Sequence, residues 1–137
     1  VLRGGSTITQ QLAKNLFLKP SQSITRKLRE AAIAVKLEKE LSKKRILELY
    51  LNLIEWGSGI YGAEAASRSW FSCPAAGLTL SQAIRLASIL PNPRRFSALD
   101  TANARMNRKR RIIAGRMLRR RWIDKEAYDL ALNEMGL

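Results

Sequence analysis

The 137-residue chain contains no histidine and a single cysteine, Cys73. A lone thiol closes no intramolecular disulfide, so cysteine usage leaves the redox compartment open. The same shortage excludes the usual zinc sites and any histidine-based triad within these residues. No apolar run approaches the ~18 residues of a membrane span, and no secretory leader or internal repeat is legible. Acids are scarce: eleven Asp and Glu face twenty-five Lys and Arg, a net charge of +14. Between Thr101 and Ile123 there is no acid at all, against nine cations: Arg105, Arg108, Lys109, Arg110, Arg111, Arg116, Arg119, Arg120 and Arg121. That balance selects polyanions as partners, whether nucleic acid, an anionic membrane or phosphorylated substrates.

What is present reads as helix after helix, and the predicted fold class is all-α, with six or seven helices and short connections. The length fits one domain over residues 1–137. Ser6 or Thr7 can cap a first helix through Phe17, with Ile8, Leu12 and Leu16 as its apolar stripe and Lys19 and Pro20 as its stop. Ser23 can cap a second, whose Ile24, Leu28, Ala31, Ala32 and Val35 form the expected buried face. Ser42 opens a third, with Ile46, Leu47, Tyr50 and Leu51 inward. Gly57, Gly59 and Gly62 interrupt the pattern before a short helix over 63–71. Thr79 and Gln82 have capping-box spacing for the next, stopped by Pro91 and Pro93. Further helices are expected over 101–121 and from Asp124 to about Gly136.

Three segments carry candidate chemistry. In GGSTITQQLAKN (4–15), Ser6, Gln10 and Lys14 recur every four residues, nearly opposite the apolar stripe. With Gln11 they offer many donors and one positive charge, on a helix start whose Gly4–Gly5 approach admits a close ligand. This composition suits a phosphate- or sugar-binding face; a solvated surface is the alternative. In ITRKLRE, Arg26 and Lys27 stand four and three residues before Glu30. That places two cations beside one carboxylate, which suits positioning or metal ligation rather than proton donation. The alternative is a surface ion pair worth ~0.3–0.5 kcal/mol. Lys43, Lys44 and Arg45 oppose the dipole of the helix they open, at ~0.3–1 kcal/mol each. The arginine-rich block, with Met106, Ile112, Ile113, Met117 and Leu118 mixed through it, suits a buried stripe flanked by phosphate-seeking cations.

Taken together, GGSTITQQLAKN, RKLRE (26–30) and KKRILELYLN (43–52) resemble successive motifs of the peptidoglycan glycosyltransferases. These occur in monofunctional transglycosylases and class A penicillin-binding proteins. WGSGIYGAEAA (56–66) and LTLSQAIRLASILPNP (78–93) continue the resemblance, which covers about two-thirds of the chain in the family's order. It implies a lysozyme-like, all-α domain at the outer, periplasmic face of the cytoplasmic membrane. Such a domain joins lipid II units into glycan strands and releases undecaprenyl pyrophosphate. By resemblance, Ser6, Gln10, Gln11, Lys14, Arg26, Lys27 and Lys43 bind substrate, and Glu30 assists the site or a divalent cation such as Mg2+. No organic cofactor is implied. The partners implied are lipid II, the growing strand, an anionic membrane surface and other cell-wall synthesis proteins, with no nucleic acid. Leu16, Phe17 and Leu18 resemble an apolar jaw that dips into the bilayer, with core packing as the alternative. Gln22 departs from an arginine common in the family, and Gln82 from a glutamate. PNPRR (91–95) leans towards the monofunctional type.

Two other readings stand beside this one. A basic helical module that binds DNA or RNA explains the charge but not the paired amides or the Arg26/Glu30 grouping. A muramidase-like hydrolase would need two suitably spaced carboxylates, drawn from Glu30, Glu55 and Glu64. The family's general base, a glutamate in a Glu-Asp-x-x-Phe motif, has no counterpart in these residues. The expectation is a piece of the domain, with that motif and a membrane anchor upstream. The isolated chain is therefore expected to show no lipid II polymerisation, and detectable glycan product in a gel assay would overturn this.

Overall fold

The computed structural model describes residues 7–17, 23–90 and 92–137. Ser6, Leu18, Lys19, Pro20, Gln22 and Pro91, which figure in the expectations above, lie outside the described residues. The chain divides into two compact units, residues 1–54 and 55–137.

The first unit contains α1 (Ile8–Phe17), α2 (Ile24–Glu40) and α3 (Lys43–Leu53), with α1 packed on both other helices. Local chemistry sets each start. Thr7 Oγ1 accepts the Gln10 N–H while Gln10 Oε1 accepts the Thr7 N–H, both at 3.1 Å, a reciprocal capping box. Ser23 accepts from Arg26 N and Ser42 from Arg45 N at the starts of α2 and α3. The buried face of α1 is Thr9, Leu12 and Ala13, so Leu12 is the one member of the predicted stripe that is buried. Ile8 and Leu16 are exposed, as is Phe17, which removes core packing as the role of Leu16 and Phe17.

The expected buried face of α2 is corrected. Ile24, Leu28 and Val35 are 83%, 66% and 53% exposed. The inward face is instead Glu30, Ile33, Ala34, Leu37 and the following Leu41, with Glu30 and Ala34 fully covered. Apolarity alone misplaced it, because a carboxylate with two local cations can be buried where a lone one cannot. On α3 the buried residues are Ile46 and Tyr50, whereas Leu47 is exposed.

The second unit opens with a small antiparallel hairpin, β1 (Glu55–Gly57) and β2 (Ile60–Tyr61), pairing Glu55 with Tyr61 and Gly57 with Ile60. The glycines that interrupted the helical pattern make it. Gly59 and Gly62 adopt φ of +75° and +87°. Gly57 lies so close to its neighbours that a Cβ would stand 2.9 Å from Ile60 Cδ1 and 3.1 Å from Trp70 Cζ2. The Trp70 ring is itself held, its Nε1 donating to the Trp56 carbonyl at 3.2 Å. Next come α4 (Ala63–Phe71), a 3-10 turn (Ala75–Gly77), α5 (Leu80–Ile89), α6 (Ala104–Arg119) and α7 (Lys125–Glu134). The Thr79/Gln82 capping box forms as expected. Ile84, Ala114, Ala131 and Met135 are the buried centre of this unit, ringed by Leu80, Ile113, Met117, Tyr128, Leu132 and Leu137. Among the described residues the architecture is thus all-α with one minor hairpin.

Two helix ends close on the same motif with different residues. After α7, Gly136 N–H reaches the Asn133 carbonyl and Leu137 N–H the Leu132 carbonyl, with Gly136 at φ +70°. After α6, Arg121 N–H reaches Leu118 and Trp122 N–H reaches Met117, but the left-handed position is Arg121, at φ +57°. Glycine holds that conformation without the Cβ penalty. Arg121→Gly is therefore expected to raise stability by about 1 kcal/mol, a few degrees in melting temperature. Gly57→Ala should lower stability by about 1 kcal/mol, since Ile60 can turn away and the Trp70 ring cannot. Thermal unfolding followed by circular dichroism checks both signs.

Candidate functional site

The residues singled out for substrate contact lie mostly on the three helices of the first unit. On α1, Gln10 is half-buried and its carbonyl oxygen is committed to the cap, leaving its amide NH2 for a ligand. Gln11, one residue on, accepts the Tyr50 hydroxyl at 3.0 Å and so ties α1 to α3. Burial raises the Tyr50 phenol above its usual range, which keeps it a donor in that bond. Lys14 stands exposed in the last turn of α1.

On α2, Glu30 is only 2% exposed, and its two oxygens face Lys27 Nζ at 2.6 Å and Arg26 Nη1 at 3.5 Å. The surface ion pair considered above is therefore not what forms. The Lys27 contact is the stronger; the Arg26 contact sits at the edge of hydrogen-bonding distance. Arg26 is mostly covered, and its Nε is buried with no hydrogen-bond partner among the described residues. A desolvated guanidinium with an unused donor beside an already balanced carboxylate is equipped to receive an anion.

Lys43 opens α3 and borders a cavity of about 640 Å3 that Ile8, Thr9, Glu38, Leu41, Ile46 and Leu47 also line. Glu38 comes from the end of α2 and Leu41 caps it, so this cavity draws on all three helices. Arg45, by contrast, is held by Glu48 at 2.7 Å on the surface.

A divalent cation does not fit Glu30 as a protein-built site. Both carboxylate oxygens already face cations, and the described residues hold no group of three or more Asp, Glu, Cys or His side chains suited to a metal.

The other two carboxylates considered are structural in character. Burial works to raise Glu55, but hydrogen bonds from Arg94 at 2.8 and 3.0 Å and from Gly59 N–H outweigh it and hold the carboxyl below its usual range. Glu64 is held low chiefly by the Ala75 N–H, with Arg68 at 2.7 Å adding to it. Neither is poised as the proton donor a hydrolase needs.

The basic block divides by role. Arg110 is completely buried, donating to the Ala98 and Asp100 carbonyls, Asn107 Oδ1 and Ser88 Oγ. It fastens the segment before α6 instead of meeting a ligand. Lys109 donates to the Ser88 carbonyl at 2.6 Å. Seven of the nine cations remain exposed. Sequence reasoning missed this division, though Lys109 and Arg110 neighbour the buried positions Met106 and Ala114 on the helix. It also missed Tyr50 as a hydrogen-bonding residue, where a phenol at an inward position was the available signal.

Burial pushes Lys109 down to about 8 despite its carbonyl partner, with the nearby Arg105 charge adding to the effect. Below pH 8 it is protonated whether folded or unfolded, and the folded chain carries the desolvation penalty. Between pH 8 and its ordinary value of 10.5 the unfolded chain binds the additional proton, so this residue makes stability rise with pH. Urea unfolding at pH 7.5 and 9.5 should therefore show the parent chain gaining on Lys109→Gln at the higher pH. An unchanged difference would refute the burial of that ammonium.

A family model described as Transglycosylase matches residues 1–118. The chain is 54% identical over 111 residues to a biosynthetic peptidoglycan transglycosylase of Nitrosomonas europaea, covering 81% of this chain and 46% of that one. It is 60% identical over 93 residues to the same-named protein of Azoarcus sp. strain BH72, covering 68% and 40%. With that of Chromobacterium violaceum it shares 54% identity over 117 residues, covering 85% and 51%. The chain thus spans about half the length of the curated relatives it matches.

Proposed function

Because this chain belongs to the transglycosylase family, we propose that its first compact unit binds the pyrophosphate and sugar of lipid II as glycosyl donor. The reaction served is glycan-strand polymerisation for peptidoglycan, with undecaprenyl pyrophosphate as the leaving group. One observation carries the assignment of residues: Arg26, largely covered and with a buried Nε that has no partner among the described residues, stands against the fully buried Glu30. A pyrophosphate gains negative charge as the glycosidic carbon–oxygen bond breaks. A guanidinium already desolvated and aimed stabilises that charge with little reorganisation. Glu30 is the positioning residue, holding Arg26 and Lys27 at fixed places on one turn of α2.

Exposed Lys14 and Lys43 add positive charge that can meet the phosphates, and the amide NH2 of Gln10, without a partner among the described residues, can meet sugar hydroxyls. Gln11 acts through Tyr50, fixing how α1 lies on α3. Any divalent ion would arrive with the pyrophosphate oxygens, since Glu30 does not offer it a site. The envelope is the place of action in this reading, at the outer face of the cytoplasmic membrane. Exposed Leu16 and Phe17 at the end of α1 suit the acyl boundary. Among the described residues no helix is long and apolar enough to cross a membrane. The nucleic-acid-binding alternative gains no support: two cations of the block are turned inward, and the matching relatives are named for peptidoglycan.

Titration of the chain with lipid II in detergent micelles tests the assignment. Arg26→Ala is expected to weaken binding about 10- to 100-fold, as loss of a charge-assisted hydrogen bond implies. Glu30→Gln, which keeps the side chain's size, should weaken it less and through Arg26. Unaltered affinity in Arg26→Ala, with the helical spectrum intact, would remove the donor site from α2.

A further inference from the structure

The second unit carries a feature that the donor site does not use. Counting from Ile113, Arg116 and Met117 follow at three and four residues, so the three share one face of α6, and Arg120 caps the helix just past its end. With Arg119 and Trp122 they line a depression of about 580 Å3 at the helix's C-terminal end. Ile113 and Met117 form a half-buried aliphatic floor continuous with the core. The arginines around it are exposed, and Trp122 is 67% exposed. The Arg120 guanidinium lies over the Trp122 ring, 5.3 Å from its centre, a cation–π contact. Trp122 N–H is tied to the Met117 carbonyl, so the indole's place follows from the helix end itself.

A helix C-terminus welcomes cations, but one or two satisfy its partial charge. Here Arg116, Arg119, Arg120 and Arg121 fall within six residues, with no acid between Thr101 and Ile123. Cations around an apolar floor beside an exposed indole match a lipid interface. There phosphates sit above acyl carbons, and tryptophan prefers the boundary between them. A nucleic-acid duplex would offer phosphates to the arginines but nothing to the aliphatic floor.

We infer that the C-terminal end of α6, with Trp122, is a docking surface for anionic phospholipid headgroups at a membrane face. It is separate from the residues assigned to the donor and rests on different observations. The arginines neutralise headgroup phosphates, and Trp122 enters the interface to the depth of its ring. The surface would hold the second unit against the membrane whether or not lipid II is present.

Vesicles without lipid II keep this test apart from the donor reading. The chain is mixed with phosphatidylcholine vesicles containing about one-third phosphatidylglycerol, with a bromine-labelled acyl chain as fluorescence quencher. Binding with quenched tryptophan emission is expected, and quenching should vanish in Trp122→Phe. The triple variant Arg116→Gln/Arg119→Gln/Arg120→Gln should bind about 100-fold more weakly, at roughly fivefold per arginine. The equally charged control Arg105→Gln/Arg108→Gln/Arg111→Gln should retain most of the affinity. Equal losses in the two triple variants would overturn the proposal by showing general charge attraction. So would quenching that survives Trp122→Phe, or triple-variant losses confined to duplex DNA binding. Melting temperatures near that of the parent establish that each variant is folded.

Discussion

A carboxylate removed from water must be matched by positive charge or not be there at all, and Glu30 sets that requirement for the first unit. With 2% of its surface exposed, it draws Lys27 and Arg26 to its two oxygens. The inward face of α2 follows from where those three side chains lie. Ala34, one turn on, is the small residue on the same covered face. α1 meets α2 through its own narrow face of Thr9, Leu12 and Ala13. The covered face of α2 is therefore arranged around a charge, with Ile33 and Leu37 beside it and Ile24, Leu28 and Val35 left outside. Breaking such a buried group of charges is strongly destabilising, while its contribution over an apolar equivalent is small. Retention of the charge is better understood through the aimed guanidinium it leaves beside it.

The second unit answers the same problem with the opposite sign. Arg110 is fully buried but meets no carboxylate; carbonyls, one amide oxygen and one hydroxyl receive its N–H groups. Burial and the Arg85 charge both push its pKa down, and Asp100 only partly offsets them. The guanidinium thus acts as a many-armed hydrogen-bond donor that pins Ala98 and Asp100 before α6 begins. Charge in this chain serves both to build the interior and to meet ligands, and net charge alone does not separate the two uses.

That is also where legibility in the sequence ended. Periodicity and capping residues anticipated six or seven helices, and the described residues form seven. Ser23, Ser42, Thr79 and Asp124 marked four of the starts, because they satisfy orphan N–H groups locally and need no tertiary context. The family was legible for a similar reason, as ordered short motifs survive without a structure. The buried face was legible on α3, through Ile46 and Tyr50, but not on α2. Ile24, Leu28 and Val35 form as good an apolar stripe as any, yet burial went to a face containing Glu30. Gln10 looked like a ligand amide and half of it is a cap, although the Thr7–Gln10 spacing repeats that of Thr79–Gln82. The hairpin at Glu55–Tyr61 was hidden because its strands are too short to alternate, and only its glycines marked the place.

The position of α7 bears on how this domain is delimited. The match to the family model stops at residue 118, yet Ala131 and Met135 of α7 lie in the centre of the second unit's core. The family match therefore ends before the packing of this unit does. α7 meets this core through Ala131 and Met135, where substitutions that conserve volume are tolerated best, and Glu134 adds a polar tie by accepting the Ser81 hydroxyl. Any evolutionary shuffling or engineered fusion that took the likeness as its border would leave Ile84 and Ala114 facing solvent. The packed unit reaches past its signature.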